Sequence, residues 1–304
     1  MTAMTSTLDW IAVDWGTTHL RLWLMAKDGQ VLDRRDSDQG MGKLIPDQFA
    51  PTLAALLSDV PNASAYPVII CGMAGAQQGW AEAPYVATPC PPPGAEIATH
   101  APDTDWDVRI LPGVKQMHPA DVMRGEETQI AGLLLENHGF EGTLCLPGTH
   151  NKWVRIKVGQ ITEFRTFMTG ELFALISGQS VLRHSVDTND HDQEAFETAL
   201  GEAMADPSAL AANLFSLRAE GLLNGLSTAA ARARLSALLI GAELAATRAF
   251  WQEDEVVILG EGDVARAYET ALKTAGGKAR CVDAETLTLA GLRSAYAQLG
   301  KAAL

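Results

Sequence analysis

The chain has 304 residues, 37 acidic and 23 basic, for a formal charge of −14, and 47% of it is hydrophobic. This composition excludes a disordered chain, and at about 150 residues per domain the length predicts two lobes, each with its own core. The acidity argues against a surface that tracks nucleic acid or an anionic membrane, so an anionic ligand would have to meet locally placed cations.

In chain order, Trp10 to Asp14 is a short apolar run ending in a carboxylate, Gly16-Thr17-Thr18 turns the chain, and Leu20 to Leu24 alternates as a second strand. Asp28-Gly29 signals a hairpin into a third strand, Val31 to Arg35. A helix over 47–57 and a buried strand over 66–71 follow, and that strand runs into Gly72-Met73-Ala74-Gly75. The order strand, helix, strand predicts a mixed sheet with helices packed on it. Residues 88–104, with Pro91-Pro92-Pro93, read as a loop, and 108–111 as a further strand. We place the lobe boundary at 118/119, giving lobes 1–118 and 119–304.

The second lobe repeats the opening signal. A helix over 126–135 precedes a strand over 142–146, the break Pro147-Gly148-Thr149-His150, and a strand over 152–156. Helical composition then covers 171–177, 193–205, 208–218 and 228–250. Val256 to Leu259 is a buried strand, Gly260-Glu261-Gly262 a turn, 263–275 a helix, 278–282 a last strand and 285–299 a last helix.

No uncharged apolar run reaches the roughly 18 residues of a membrane span, and residues 1–9 lack the pattern of an export signal, so a cytoplasmic protein is expected. Cys71, Cys90, Cys145 and Cys281 form no C-x-x-C pair, which argues against a zinc knuckle or a disulfide framework. Asn62-Ala63-Ser64 fits a glycosylation acceptor but has no secretion signal beside it.

Three turns carry the chemistry. Asp14-Trp15-Gly16-Thr17-Thr18 sets a carboxylate beside a Gly turn and two hydroxyls, which suits a hydrated magnesium ion and the phosphates it bridges; alternatively the Asp caps its own turn. Pro147-Gly148-Thr149-His150-Asn151-Lys152 offers the same donors and an ammonium. Gly260-Glu261-Gly262 lacks the third glycine of a dinucleotide fingerprint, and no P-loop occurs.

Taken in order, these turns resemble the phosphate-1, phosphate-2 and adenosine motifs of the actin, Hsp70 and sugar-kinase superfamily. More narrowly, Ala12-Val13-Asp14-Trp15-Gly16, Met123-Arg124-Gly125-Glu126-Glu127-Thr128-Gln129, Leu146-Pro147-Gly148-Thr149-His150, Phe164-Arg165-Thr166 and Thr169-Gly170-Glu171-Leu172 resemble the 2-dehydro-3-deoxygalactonokinase family. The resemblance implies a two-lobed, actin-like (ribonuclease H-like) α/β fold with its active site in the interlobe cleft. The implied reaction is ATP- and Mg2+-dependent phosphorylation of 2-dehydro-3-deoxy-D-galactonate at its terminal (6-) hydroxyl, a step of galactonate catabolism. A kinase of another sugar or sugar acid such as 2-keto-3-deoxygluconate, or a non-catalytic carbohydrate sensor, stands as the alternative. Partners are then small molecules, and a homo-oligomer is compatible with them.

Phosphoryl transfer asks for positioning and charge neutralisation. Asp14 is the expected metal carboxylate, and Gly16, Thr17, Thr18, Gly148, Thr149 and Lys152 are expected at the phosphates. Gly260 and Gly262 are expected at the adenosine, with Glu261 pointing away or bonding a ribose hydroxyl. Glu126 and Glu127 stand where sugar kinases of the superfamily place a catalytic Asp. Successive helical residues diverge by about 100°, so one of the two faces the substrate, with Glu126 preferred. Arg124 and Arg165 could fork onto a substrate carboxylate or form structural ion pairs. Gln77 and Gln78 could bond sugar hydroxyls and Trp80 cover a sugar face, or the glutamines are solvated and Trp80 is core. Gly291 resembles the superfamily's small residue at a helix crossing.

Overall fold

The computed structural model of the protein describes residues 7–302; the reading of residues 1–9 as free of an export signal lies mostly outside them. The first part of the chain runs β1 (Leu8–Trp15), β2 (Leu20–Ala26), β3 (Val31–Ser37), α1 (Phe49–Leu56), β4 (Val68–Gly72), β5 (Tyr85–Ala87), β6 (Thr99–His100), β7 (Val108–Ile110), β8 (Gly113–Met117), β9 (Ala120–Met123) and α2 (Glu126–Glu136). The remainder runs β10 (Gly142–Leu146), β11 (Asn151–Lys157), β12 (Gln160–Phe167), α3 (Thr169–Gln179), α4 (Gln193–Ala205), α5 (Leu210–Leu223), α6 (Thr228–Ala246), α7 (Arg248–Trp251), β13 (Glu255–Leu259), α8 (Gly262–Thr274), β14 (Lys278–Val282) and α9 (Ala284–Ala302). Among the described residues no helix is long and apolar enough to cross a membrane.

Two compact units result. The first holds the described residues up to 140, residues 157–163 and the C-terminal segment from 284; the second holds 141–156 and 164–283. The division therefore differs from the expected boundary at 118/119. Helix α9 returns to the first sheet, where Leu289, Leu292 and Ala295 pack on Trp10, Ala12, Ile69 and Cys71. Helix α2 is held against α9 at two glycines, since a β-carbon on Gly132 would collide with the Leu287 carbonyl and one on Gly291 with that of Thr128. Gly291 thus occupies a helix crossing, as the resemblance implies.

The main sheet of the first unit has the order β3-β2-β1-β4-β7-β6, with β1 antiparallel to β2 and parallel to β4. The sheet of the second unit has the order β12-β11-β10-β13-β14, with β10 antiparallel to β11 and parallel to β13. The same plan therefore occurs twice: a meander whose first strand sits at the centre, extended on its other side by two parallel strands, β4 and β7 in the first unit and β13 and β14 in the second. This is the ribonuclease H-like plan, and its duplication in one chain defines the actin-like fold. Strand β1 reads as a nearly continuous apolar run because both faces of its sheet are covered. Ile11, Val13 and Trp15 enter one core with Phe49 and Leu53, while Trp10 and Ala12 enter the other beneath α9. In the second unit Cys145, Trp153 and Ile258 pack against α4, α6 and α8 through Phe196, Ala237 and Tyr268.

Several elements depart from expectation. The hairpin β8–β9 and strand β12 carry no turn or alternation signal strong enough to read. The helix expected over 228–250 breaks after Ala246, where the Thr247 hydroxyl bonds back to the Glu243 carbonyl at 2.9 Å, and α7 restarts the chain.

Candidate active site

Alternation along β1 sends Asp14 to the face that carries Trp10 and Ala12. Its side chain is 21% exposed, with the Arg21 guanidinium 3.7 Å away and the Cys71 thiol donating at 3.8 Å. Burial lifts the Asp14 carboxyl above the usual carboxylate range; Arg21 and Cys71 oppose this, and the charges of Glu126 and Glu285 reinforce it. The turn after Asp14 is braced from outside itself. Gly16 N–H donates to the His19 carbonyl, while Met41 N–H and Gly42 N–H donate to the Gly16 and Thr17 carbonyls, each at 2.9 Å. Thr17 and Thr18 remain exposed.

Strand β4 ends beside β1, with Trp15 opposite Gly72. Gly72 has φ +91°, and a β-carbon there would stand 2.7 Å from the Trp15 carbonyl oxygen. Gly125, at φ +105°, would place a β-carbon 3.2 Å from the Gly72 Cα. The start of α2 is thereby brought against the ends of β1 and β4. Glu126 is partly exposed and accepts from the Arg124 N–H at 2.9 Å. Glu127 is buried, and both its oxygens accept from the Gly125 N–H at 2.8 Å. Burial, aided by the charge of Glu126, pushes the Glu127 carboxyl up to about 8.

Arg124 is only 7% exposed. Its Nη2 donates to the Ala83 carbonyl at 2.8 Å and its guanidinium lies 4.2 Å from the centre of the Tyr85 ring, but Nε and Nη1 find no acceptor among the described residues. Gln77 and Gln78 are exposed. Trp80 is a correction: it is buried, with its ring 5.9 Å from Phe49 and 6.1 Å from Trp15, so this indole fills the core and does not cover a sugar. Arg165 is exposed on β12 and belongs to the second unit.

In the second unit, the turn after β10 exposes Gly148, Thr149 and His150. Gly148 N–H is already engaged by Asn151 Oδ1 at 2.8 Å, so the exposed hydroxyl of Thr149, and not that amide, is what the turn presents. A β-carbon on Gly170 would collide with the Gly148 carbonyl, so α3 starts hard against this turn. Lys152 is buried, and its ammonium donates to the His150 carbonyl of the same turn at 3.3 Å. Gly260 N–H donates to the Val282 carbonyl at 2.9 Å, and Gly262 opens α8 at φ +73°. A cavity of about 880 Å³ joins the two turns, with Gly148, Thr149, Thr169, Gly170 and Glu261 on its wall.

Behind that wall lies a group that sequence reasoning missed. Glu243 of α6 is 2% exposed and accepts from Trp153 Nε1 at 2.7 Å, Asn151 Nδ2 at 2.9 Å, the Tyr268 hydroxyl at 2.7 Å and the Thr169 hydroxyl. Burial raises its carboxyl, and these donors oppose the rise. The available signal was a lone carboxylate in the otherwise uncharged stretch from Leu235 to Thr247.

Chemically, the first unit offers an acidic pair of unlike environment, Asp14 and Glu126, near a buried guanidinium. The second offers a roomy cavity rimmed by hydroxyls and a Gly turn. A partly buried carboxylate with few partners, such as Asp14, suits a cation that brings its remaining ligands with it. Among the described residues no cluster of three or more His, Cys, Asp or Glu side chains is arranged to cage a metal.

The family model described as 2-keto-3-deoxy-galactonokinase matches residues 14–295. A Rhizobium meliloti (strain 1021) protein described as a probable 2-dehydro-3-deoxygalactonokinase is 45% identical over 303 residues, covering 96% of this chain and 98% of its own. The 2-dehydro-3-deoxygalactonokinase of Escherichia coli (strain K12) is 35% identical over 292 residues, covering 95% and 97%. A crystal structure from Sinorhizobium meliloti that carries the same provisional description superposes with a TM-score of 0.89 at 41% identity, covering 95% of this chain and 99% of that one. The chain therefore belongs to the 2-keto-3-deoxy-galactonokinase family.

Proposed function

We propose that the protein transfers a phosphoryl group from ATP to the terminal (6-) hydroxyl of 2-dehydro-3-deoxy-D-galactonate, with Mg2+, as a cytoplasmic step of galactonate catabolism. The observation that carries this reading is the meeting of Asp14 with the start of α2 through Gly72 and Gly125, within the span the family model matches.

Asp14 would hold the magnesium ion, which supplies charge neutralisation for the phosphates when bound. Thr17 and Thr18 are the phosphate-binding residues of the first unit in this reading, and Thr149, with open space over Gly148, is that of the second. The wall containing Glu261 serves the nucleoside, with the Glu261 carboxylate accepting from a ribose hydroxyl; Gly260 and Gly262 shape that turn.

Glu126 orients the attacking hydroxyl and receives its proton. Its partial exposure leaves it accessible and its accepted backbone bond gives it a fixed direction, and a loose transition state asks for orientation before strong basicity. Glu127, whose oxygens are both spent on Gly125 N–H, holds the turn that aims Glu126. The orphaned Nε and Nη1 of Arg124 favour it as partner of the sugar-acid carboxylate, because a buried guanidinium edge without an acceptor gains most from an anion. Arg165 and the exposed Gln77 and Gln78 are secondary contacts in this reading.

The test is ADP release with ATP, Mg2+ and the sugar acid, run on the wild type and on Glu126→Gln and Glu127→Gln. The proposal expects Glu126→Gln to lose kcat by at least about 10²-fold and Glu127→Gln to keep more of it. The reverse ranking would reassign the orienting acid.

A further inference from the structure

Resting on the nucleotide reading above, we propose that Glu243 is a positioning residue for nucleotide: one buried carboxylate that fixes the Gly148 turn, the start of α3 and helix α8 relative to one another. Its four donors come from three separate elements. Asn151 and Trp153 lie on β11, Thr169 at the start of α3, and Tyr268 on α8. Three of those residues, Asn151, Thr169 and Tyr268, line the 880 Å³ cavity, while Glu243 lies behind them.

The route to the ligand is short. Asn151 Nδ2 donates to Glu243 and to the Tyr268 hydroxyl, and Asn151 Oδ1 accepts from Gly148 N–H. Fixing the amide of Asn151 therefore fixes the Gly148 peptide. Thr169 ties the same carboxylate to the first turn of α3, whose Gly170 abuts the Gly148 carbonyl. Tyr268 extends the tie to the helix that follows Gly260-Glu261-Gly262.

The acceptor has to be a carboxylate. An ionised Glu offers two oxygens and no hydrogens, matching a set made wholly of donors. An amide at this position would turn an N–H against either the Trp153 N–H or the three donors on the other oxygen, leaving buried donors unpaired. The geometry thus predicts loss of order in the nucleotide wall with no contact to the sugar acid.

The experiment measures binding of a non-hydrolysable ATP analogue by calorimetry, and steady-state KM values for ATP and the sugar acid, in the wild type, Glu243→Gln, Asn151→Ala and the double variant, with circular dichroism on each. The expected result is a loss of analogue affinity of about tenfold or more in Glu243→Gln, with the sugar-acid KM within about twofold of wild type. The double variant should fall less than the product of the singles, because Glu243 acts through Asn151. Should Glu243→Gln fail to fold, Asn151→Ala carries the same expectation for the two ligands. Wild type that binds the analogue beside variants that bind it equally, or variants that lose both ligands in parallel, overturns the positioning role. Wild type that binds no analogue overturns the nucleotide reading itself.

Discussion

Gly125 and Gly72 meet backbone to backbone: a β-carbon added to Gly125 would stand 3.2 Å from the Gly72 Cα, and both residues hold positive φ. This is how the start of α2 reaches the ends of two strands. Gly72→Ala would add a methyl group 2.7 Å from the Trp15 carbonyl oxygen in a conformation that L side chains disfavour. We expect it to lower unfolding stability by about 1–3 kcal/mol and to depress kcat as well. Urea unfolding of the variant at wild-type stability would contradict the claimed close approach.

Asp14→Asn separates function from fold. The carboxyl is raised by burial, so the native state carries a cost for ionising it that the unfolded chain does not share. The amide should keep or raise the melting temperature near neutral pH while turnover falls by at least about 10²-fold. Retained turnover would remove Asp14 from the magnesium role.

Glu127 makes stability depend on pH in a stated direction. Its carboxyl sits at about 8 in the native protein against 4.5 as reference, so the native state keeps a proton that the unfolded chain releases between those values. The penalty is absent below the lower value and complete above the upper one, so stability falls as pH rises through the window. In Glu127→Gln this slope should flatten, giving a variant that gains on the wild type between pH 5 and pH 8. Parallel unfolding curves for the two proteins would refute the buried protonated acid.

Trp80 distinguishes core from sugar contact. Replacing it with Phe should lower the melting temperature while the sugar-acid KM stays within about twofold, and Trp80→Ala should cost about 3–5 kcal/mol of stability. A KM rise in the Phe variant at unchanged stability would restore the sugar-facing reading.

Much of this arrangement was legible before any coordinates. The strand–turn–strand signal at residues 10–24 recurs at 142–156 because both sheets place a covered, apolar first strand at the centre and end it at a Gly-Thr turn. The acids at 126 and 127 were visible as a pair, but their roles were not. Burial and the bonds to Gly125 separate them, and those depend on which helical face meets β4. Trp80 misled because an indole after a Gly-rich turn has the same spelling in a core as at a sugar. The compact units divide the chain elsewhere than at 118/119 since α9 packs on β1 and α2 from nearly the other end of the chain, and separation along the sequence carries no trace of such contacts. Glu243 stayed hidden because its donors lie up to 92 residues away.

The most direct measurement follows the phosphorus: purified protein with ATP, Mg2+ and 2-dehydro-3-deoxy-D-galactonate, monitored by 31P NMR beside its gluconate epimer and neutral hexoses. The account predicts one ADP for each new phosphate monoester, formed on the terminal hydroxyl of the galactonate derivative in preference to the others. Transfer to hexoses alone, or no ester with any acceptor, would contradict it.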